Sequence, residues 1–165
     1  MSSRREAPME RILLATDFSQ WTTGAVEVAF SLARSFGAEV FMVHGIEPIA
    51  GGGEEAEAVD EDDEGFDEFF GDLMERAKTR LEALVEEAAD EGISARFHIE
   101  IGQRWRIILD QADQEEVDLI VMGRRAYIDH SDIRLGTTSQ RVYFGTSRAV
   151  MTVPLSDVSQ SEGDS

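Results

Sequence analysis

Gly123 closes the apolar run Val117–Met122, and after a loop of twelve residues Gly136 stands directly ahead of Thr137 and Thr138. The run is rich in β-branched and aliphatic residues, the pattern of a strand buried on both faces. Thr137 and Gln140 have the spacing of a capping box, so a helix begins at that threonine. A helix N-terminus offers unpaired N–H groups and a partial positive charge, and a neighbouring glycine lets a bulky anion reach the backbone. Strand, glycine, loop, glycine, capped helix is therefore the layout of a phosphate cradle. Within the loop, Arg124 and Arg125 can offset phosphate charge, whereas Asp129 and Asp132 oppose it unless a cation bridges them. Asp129, His130 and Asp132 carry donors suited to a divalent ion, but a solvated loop is the simpler account of them. His44, at the end of another apolar run, reads first as a hydrogen-bonded core residue rather than a catalyst.

The elements that must position these residues alternate along the chain. Arg11–Thr16 reads as a buried first strand, and Asp17 or Ser19 can cap the helix after it. Val26, Ala29, Phe30 and Ala33 recur at helical spacing until Gly37. Glu39–Gly45 is a second buried strand. From Glu47 to Glu75 there are thirteen acids and no base, and residues from about 48 to 65 read as a mobile acidic loop. Leu73, Ala77, Leu81, Leu84 and Ala88 form a helical stripe that ends at Gly92. Phe66, Phe69 and Phe70 either extend that helix backwards or form an aromatic latch over it. Ile93 to Ile101 alternates apolar and polar, which places it at a sheet edge, where charges discourage unwanted pairing. A helix over Arg104–Glu115 precedes the focal strand, and a fifth strand, Arg148–Val153, follows the last helix.

This alternation implies right-handed βαβ units, hence an open five-stranded parallel sheet with helices on both faces, order 3-2-1-4-5. The switch point of that order lies between strands one and four, so a ligand is expected over their carboxyl ends, at Asp17 and Gly123. The uncharged run Ala149–Val153 forms the other edge, and pairing with a second copy predicts a homodimer joined there. One domain, 9–154, is expected, followed by a disordered acidic tail, 155–165.

The formal net charge is -19, with 15 Lys plus Arg against 34 Asp plus Glu. Such a field argues against nucleic-acid binding. Its simplest reading is an acidic surface for concentrated salt, with docking of a basic partner as the other reading. The absence of cysteine excludes disulfides and thiol catalysis. With no apolar run of membrane-spanning length and no signal-peptide pattern, a cytoplasmic protein away from membranes is expected.

The stretches Ile12–Ser19, Val43-His44 and Asp118–Gly123 with Gly136-Thr137 together resemble the universal stress protein family. The likeness runs from about Arg11 to Val153. It implies a Rossmann-like fold related to the adenine nucleotide α-hydrolases, a dimer through the last strand and, in one branch, ATP binding. By this resemblance Asp17 would accept hydrogen bonds from the ribose or adenine end of a nucleotide. The backbone of Gly45 would meet the base, where the family more often has Val. Gly123, Gly136, Thr137 and Thr138 would hold the phosphates of ATP or AMP, with Mg where ATP is bound, and Arg124 would stand beside them. Ala126 occupies the place of the loop's second glycine. If that position needs φ > 0, its methyl costs on the order of 1 kcal/mol and crowds the phosphates.

No Walker A lysine, Ser-His-Asp grouping or metal-ligand set accompanies these residues. A hydrolase needs a positioned water, a base and charge stabilisation, and all three are not supplied. The reading is thus a ligand-responsive binding protein that offers a changed surface to a client protein. A nucleotide-free dimeric scaffold is the alternative, and an ATP-cleaving enzyme the third.

Overall fold

The computed structural model of the chain describes residues 8–48, 64–124 and 137–154, with side chains from residue 67 onward in the second segment. Five parallel strands form one sheet: β1 (Arg11–Ala15), β2 (Glu39–Ile46), β3 (Ala95–Ile101), β4 (Leu119–Arg124) and β5 (Ala149–Pro154). Their order is β3-β2-β1-β4-β5, as the alternation of patterns predicts. Central β1 pairs on both sides, and Ile12, Leu13 and Leu14 are fully buried. A continuous apolar run fits only such a place, because both faces of the strand are covered.

Four helices cover the sheet: α1 (Thr23–Phe36), α2 (Glu64–Asp90), α3 (Arg104–Gln114) and α4 (Thr137–Gly145). Alternate strand residues sort the core into two layers. Ile12, Leu14, Val40, Met42 and Val121 pack with Ala29 and Phe30 of α1 and Leu81 and Ala88 of α2. Leu13, Phe41, Val43 and Ile120 pack on the opposite face with Ile107, Ile108 and Ala112 of α3 and Val142 of α4. The period-two alternation of the strands therefore meets a helical stripe on each side. Asp118 ties the two central strands at their start, its carboxylate accepting the N–H groups of Glu10 and Arg11 at 2.8 and 2.9 Å.

Three local readings are settled by the chain's geometry. The phenylalanine cluster belongs to α2, which starts at Glu64; Phe70 packs inward at 6% exposure while Phe69 faces solvent. β3 is an edge strand, paired among the described residues with β2 alone. The expected capping of the first helix is not found. Asp17 Oδ1 instead accepts the Ser19 N–H at 2.9 Å, and a 3₁₀ turn, Gln20–Thr22, comes before α1. The turn's N-cap Ser19 and the helix N-cap Thr22 make no side-chain capping bond. The short Asp side chain has closed a turn on its own backbone, which competes with capping. Residue 18 carries the bend, and Phe18 holds φ 59, an outlier for a bulky side chain.

Candidate functional site

β2 is longer than its neighbour at the carboxyl end. β1 stops at Ala15, opposite Val43, while β2 runs on through His44, Gly45 and Ile46. In a strand the N–H and C=O of one residue point to the same side, and successive residues alternate. Val43 O accepts the Thr16 N–H on the β1 side, and Ile46 O accepts the Gly102 N–H on the β3 side. Gly45 shares the parity of Val43, so its backbone faces the space that β1 has vacated. Its carbonyl accepts Arg104 Nε at 3.3 Å, and its N–H has no partner among the described residues.

That space is a cavity of about 590 Å³, within the range of small-molecule sites. Asp17 and Phe18 line one side, His44 to Glu47 the floor, one face of α2 the other side, and Arg104 closes an end. Asp17 Oδ1 is held by Ser19, and its second oxygen has no partner among the described residues. Glu47 Oε1 accepts the backbone N–H of Arg104 at 3.1 Å, at the start of α3. Phe18 lies against the His44 ring at a centroid distance of 4.5 Å. The guanidinium of Arg80 lies over the other aromatic partner, 5.3 Å from the Phe18 centroid. The αL bend at Phe18 is what turns its ring onto this wall, a local strain of the kind found where structure serves a site.

His44 Nδ1 lies 2.7 Å from Thr16 O. A carbonyl oxygen can only accept, so Nδ1 carries the proton and Nε2 of the neutral ring is an acceptor. Burial holds the His44 pKa below its ordinary 6.5, opposed by the Thr16 bond and Asp17 and reinforced by Arg104 and Arg80. The ring is accordingly neutral at pH 7, a wall and an acceptor rather than a cation.

The structure brings Asp17 and Gly45 together. Gly123 stands elsewhere: a Cβ there would lie 2.1 Å from the carbonyl oxygen of Trp21. The 3₁₀ turn thus closes against the end of β4, and among the described residues no part of β4 lines the cavity. This opening lies over the carboxyl ends of β1 and β2, beside the turn that follows β1. Arg124 ends β4, and Thr137 and Thr138 begin α4. Ala126, Gly136 and the loop residues Arg125, Asp129, His130 and Asp132 lie outside the described residues, as does most of the acidic stretch. Sequence reading passed over Phe18, Glu47, Arg76, Arg80 and Arg104. The signal available was slight: Arg76 and Arg80, four apart, share a helix face just after a run of acids.

The family model for universal stress proteins matches residues 8–154. The chain belongs to the universal stress protein family. A universal stress protein of Thermus aquaticus is 32% identical over 133 residues, covering 79% of this chain and 88% of its own length. Universal stress protein MJ0577 of Methanocaldococcus jannaschii is 26% identical over 162 residues, or 87% of this chain and 94% of its own. The solved structure of MJ0577 matches with a TM-score of 0.67 at 28% identity, covering 89% of this chain and 96% of that one. A universal stress protein from Archaeoglobus fulgidus, solved in complex with dAMP, matches with a TM-score of 0.59 at 23% identity, covering 88% and 98%. That likeness carries the fold. Two candidate residues of the family resemblance, Asp17 and Gly45, thus lie in one cavity of this universal stress protein, together with Arg76, Arg80 and Arg104.

Proposed function

We propose that this universal stress protein binds an adenine nucleotide in the cavity over the carboxyl ends of β1 and β2. The observation that carries the reading is the backbone of Gly45, which runs past the end of β1 into the cavity that Asp17 also lines, its N–H and one Asp17 oxygen having no partner among the described residues. A planar base edge needs such a donor, and a sugar hydroxyl needs such an acceptor. The relative bound to dAMP supports a ligand of this class. The phosphates of ATP or AMP then run toward Gly123, Arg124, Gly136, Thr137 and Thr138, with Mg accompanying ATP. Binding orders the 124–135 loop and changes the surface shown to a client protein. The molecule works in the cytoplasm, in concentrated salt, as a homodimer through Ala149–Val153.

Titration calorimetry with AMP, and with ATP plus Mg, in molar salt tests this reading. Saturable heat supports it, and no heat at millimolar nucleotide overturns it. An Ala126→Gly variant is expected to bind more tightly, by about fivefold if the methyl costs on the order of 1 kcal/mol; unchanged affinity would show that residue 126 does not limit the site.

A second reading is a nucleotide-free dimeric scaffold. Two points favour it: by the family resemblance Ala126 stands where a loop glycine is expected, and contact with Trp21 accounts for Gly123 without any ligand.

A further inference from the structure

The chain carries 34 acids against 15 bases, yet Arg76, Arg80 and Arg104 all line the same cavity. Each carboxylate there has one oxygen engaged by a backbone N–H. Asp17 Oδ1 accepts the Ser19 N–H, and Glu47 Oε1 accepts the Arg104 N–H. Arg76 pairs with Asp72 at 3.0 Å on the exposed surface of α2. Arg80 has no carboxylate partner among the described residues, only the Phe18 ring. Arg104 gives Nε to Gly45 O, and its remaining N–H groups have no partner among the described residues. Guanidinium groups around a concave site, with N–H groups of Arg80 and Arg104 lacking a hydrogen-bond partner among the described residues, favour a planar or tetrahedral oxyanion, which they bind through several charge-assisted hydrogen bonds.

These groups come from α2 and from the start of α3, and not from β4 or α4, where the glycine loop would hold a 5′ phosphate chain. With the base on Gly45 and the sugar at Asp17, Arg76 and Arg80 line the same cavity from α2 and Arg104 from the start of α3. We propose that Arg76, Arg80 and Arg104 form a separate anion subsite, which takes a second phosphate borne on the sugar of an adenine nucleotide. The natural ligand is then a nucleoside bisphosphate or a nucleotide of that class. A 3′-phosphate leaves the 2′-hydroxyl free for Asp17.

This inference rests on the nucleotide reading above. Its test is calorimetry on the full chain with AMP and with adenosine 3′,5′-bisphosphate at matched ionic strength, since salt screens the contrast. The bisphosphate is expected to bind about tenfold more tightly than AMP. Arg80→Gln and Arg76→Gln change exposed helix positions, and each should shrink that ratio while leaving AMP affinity close to wild type. A merely structural arginine would weaken both ligands alike and leave the ratio unchanged. Equal affinities in the wild-type chain, or a ratio untouched in both variants, overturn the subsite and spare the nucleotide reading. No binding of either ligand overturns both.

Discussion

At Gly123 the missing Cβ lets the Trp21 carbonyl approach to a point that any side chain would occupy. Gly123→Ala must therefore push the 3₁₀ turn outward, at a cost of about 1–3 kcal/mol typical of overpacking. Urea unfolding should show a lower midpoint whether or not nucleotide is present. Unchanged stability with reduced nucleotide affinity would instead make this glycine a ligand contact. His44 makes a pH prediction. Its folded pKa is below 6.5 because of burial, so just below pH 6.5 the unfolded chain binds more protons than the folded one. Stability then falls as pH drops from 6.5 through the folded value and levels off beneath it. His44→Gln removes that contribution, and the wild-type minus variant difference in unfolding free energy should slope only in this window. A flat difference would show that the ring keeps its ordinary pKa.

Among the elements, β5 has β4 as its only partner within the described residues. Met151 on it is 37% exposed, and Phe144 on α4 is 76% exposed. An apolar edge of this kind pairs readily with another strand. Met151→Lys places a charge on that edge and should convert the proposed dimer to a folded monomer in sedimentation velocity, with the far-ultraviolet spectrum retained. A variant that stays dimeric would place the interface elsewhere. The opposite edge shows what a protected strand looks like. Arg96 on β3 pairs with Glu39 and with Glu115, and the Arg96 hydrogen bond holds the Glu115 carboxyl below its usual range. Edge and centre were both legible from periodicity, since alternation marks a strand with one wet face and continuous apolar runs mark burial on both. The turn after β1 was not. Asp17 and Ser19 suit a cap and an Asx turn equally, and the bend at Phe18 depends on the aromatic wall it packs against.

Across the whole molecule, a net charge of -19 spreads repulsion over the surface. Salt shortens the screening length from about 10 Å at 0.1 M to about 3 Å at 1 M. The thermal midpoint is therefore expected to rise between those two concentrations of potassium chloride, and to rise less in a sugar solution of equal osmolality. Equal shifts in the two would mean that screening of charge is not what the acidic surface requires. The acids are also why the cavity stands out, since three arginines line it in a chain of strongly negative charge.

Period and composition were sufficient for the βαβ order, the central and edge strands and the two core faces, because those properties depend on which residues face water, while the family came from the resemblance of its motifs. They also picked out Asp17 and Gly45 through resemblance. Folding alone decided where the cavity opens. The vacated side of β2 exists because β1 ends earlier, and Arg76, Arg80 and Arg104 meet Asp17 there only when α2 and the start of α3 close over those strand ends. Side chains brought together from separate elements leave no periodic trace in the chain, so three-dimensional packing had to supply that part of the site.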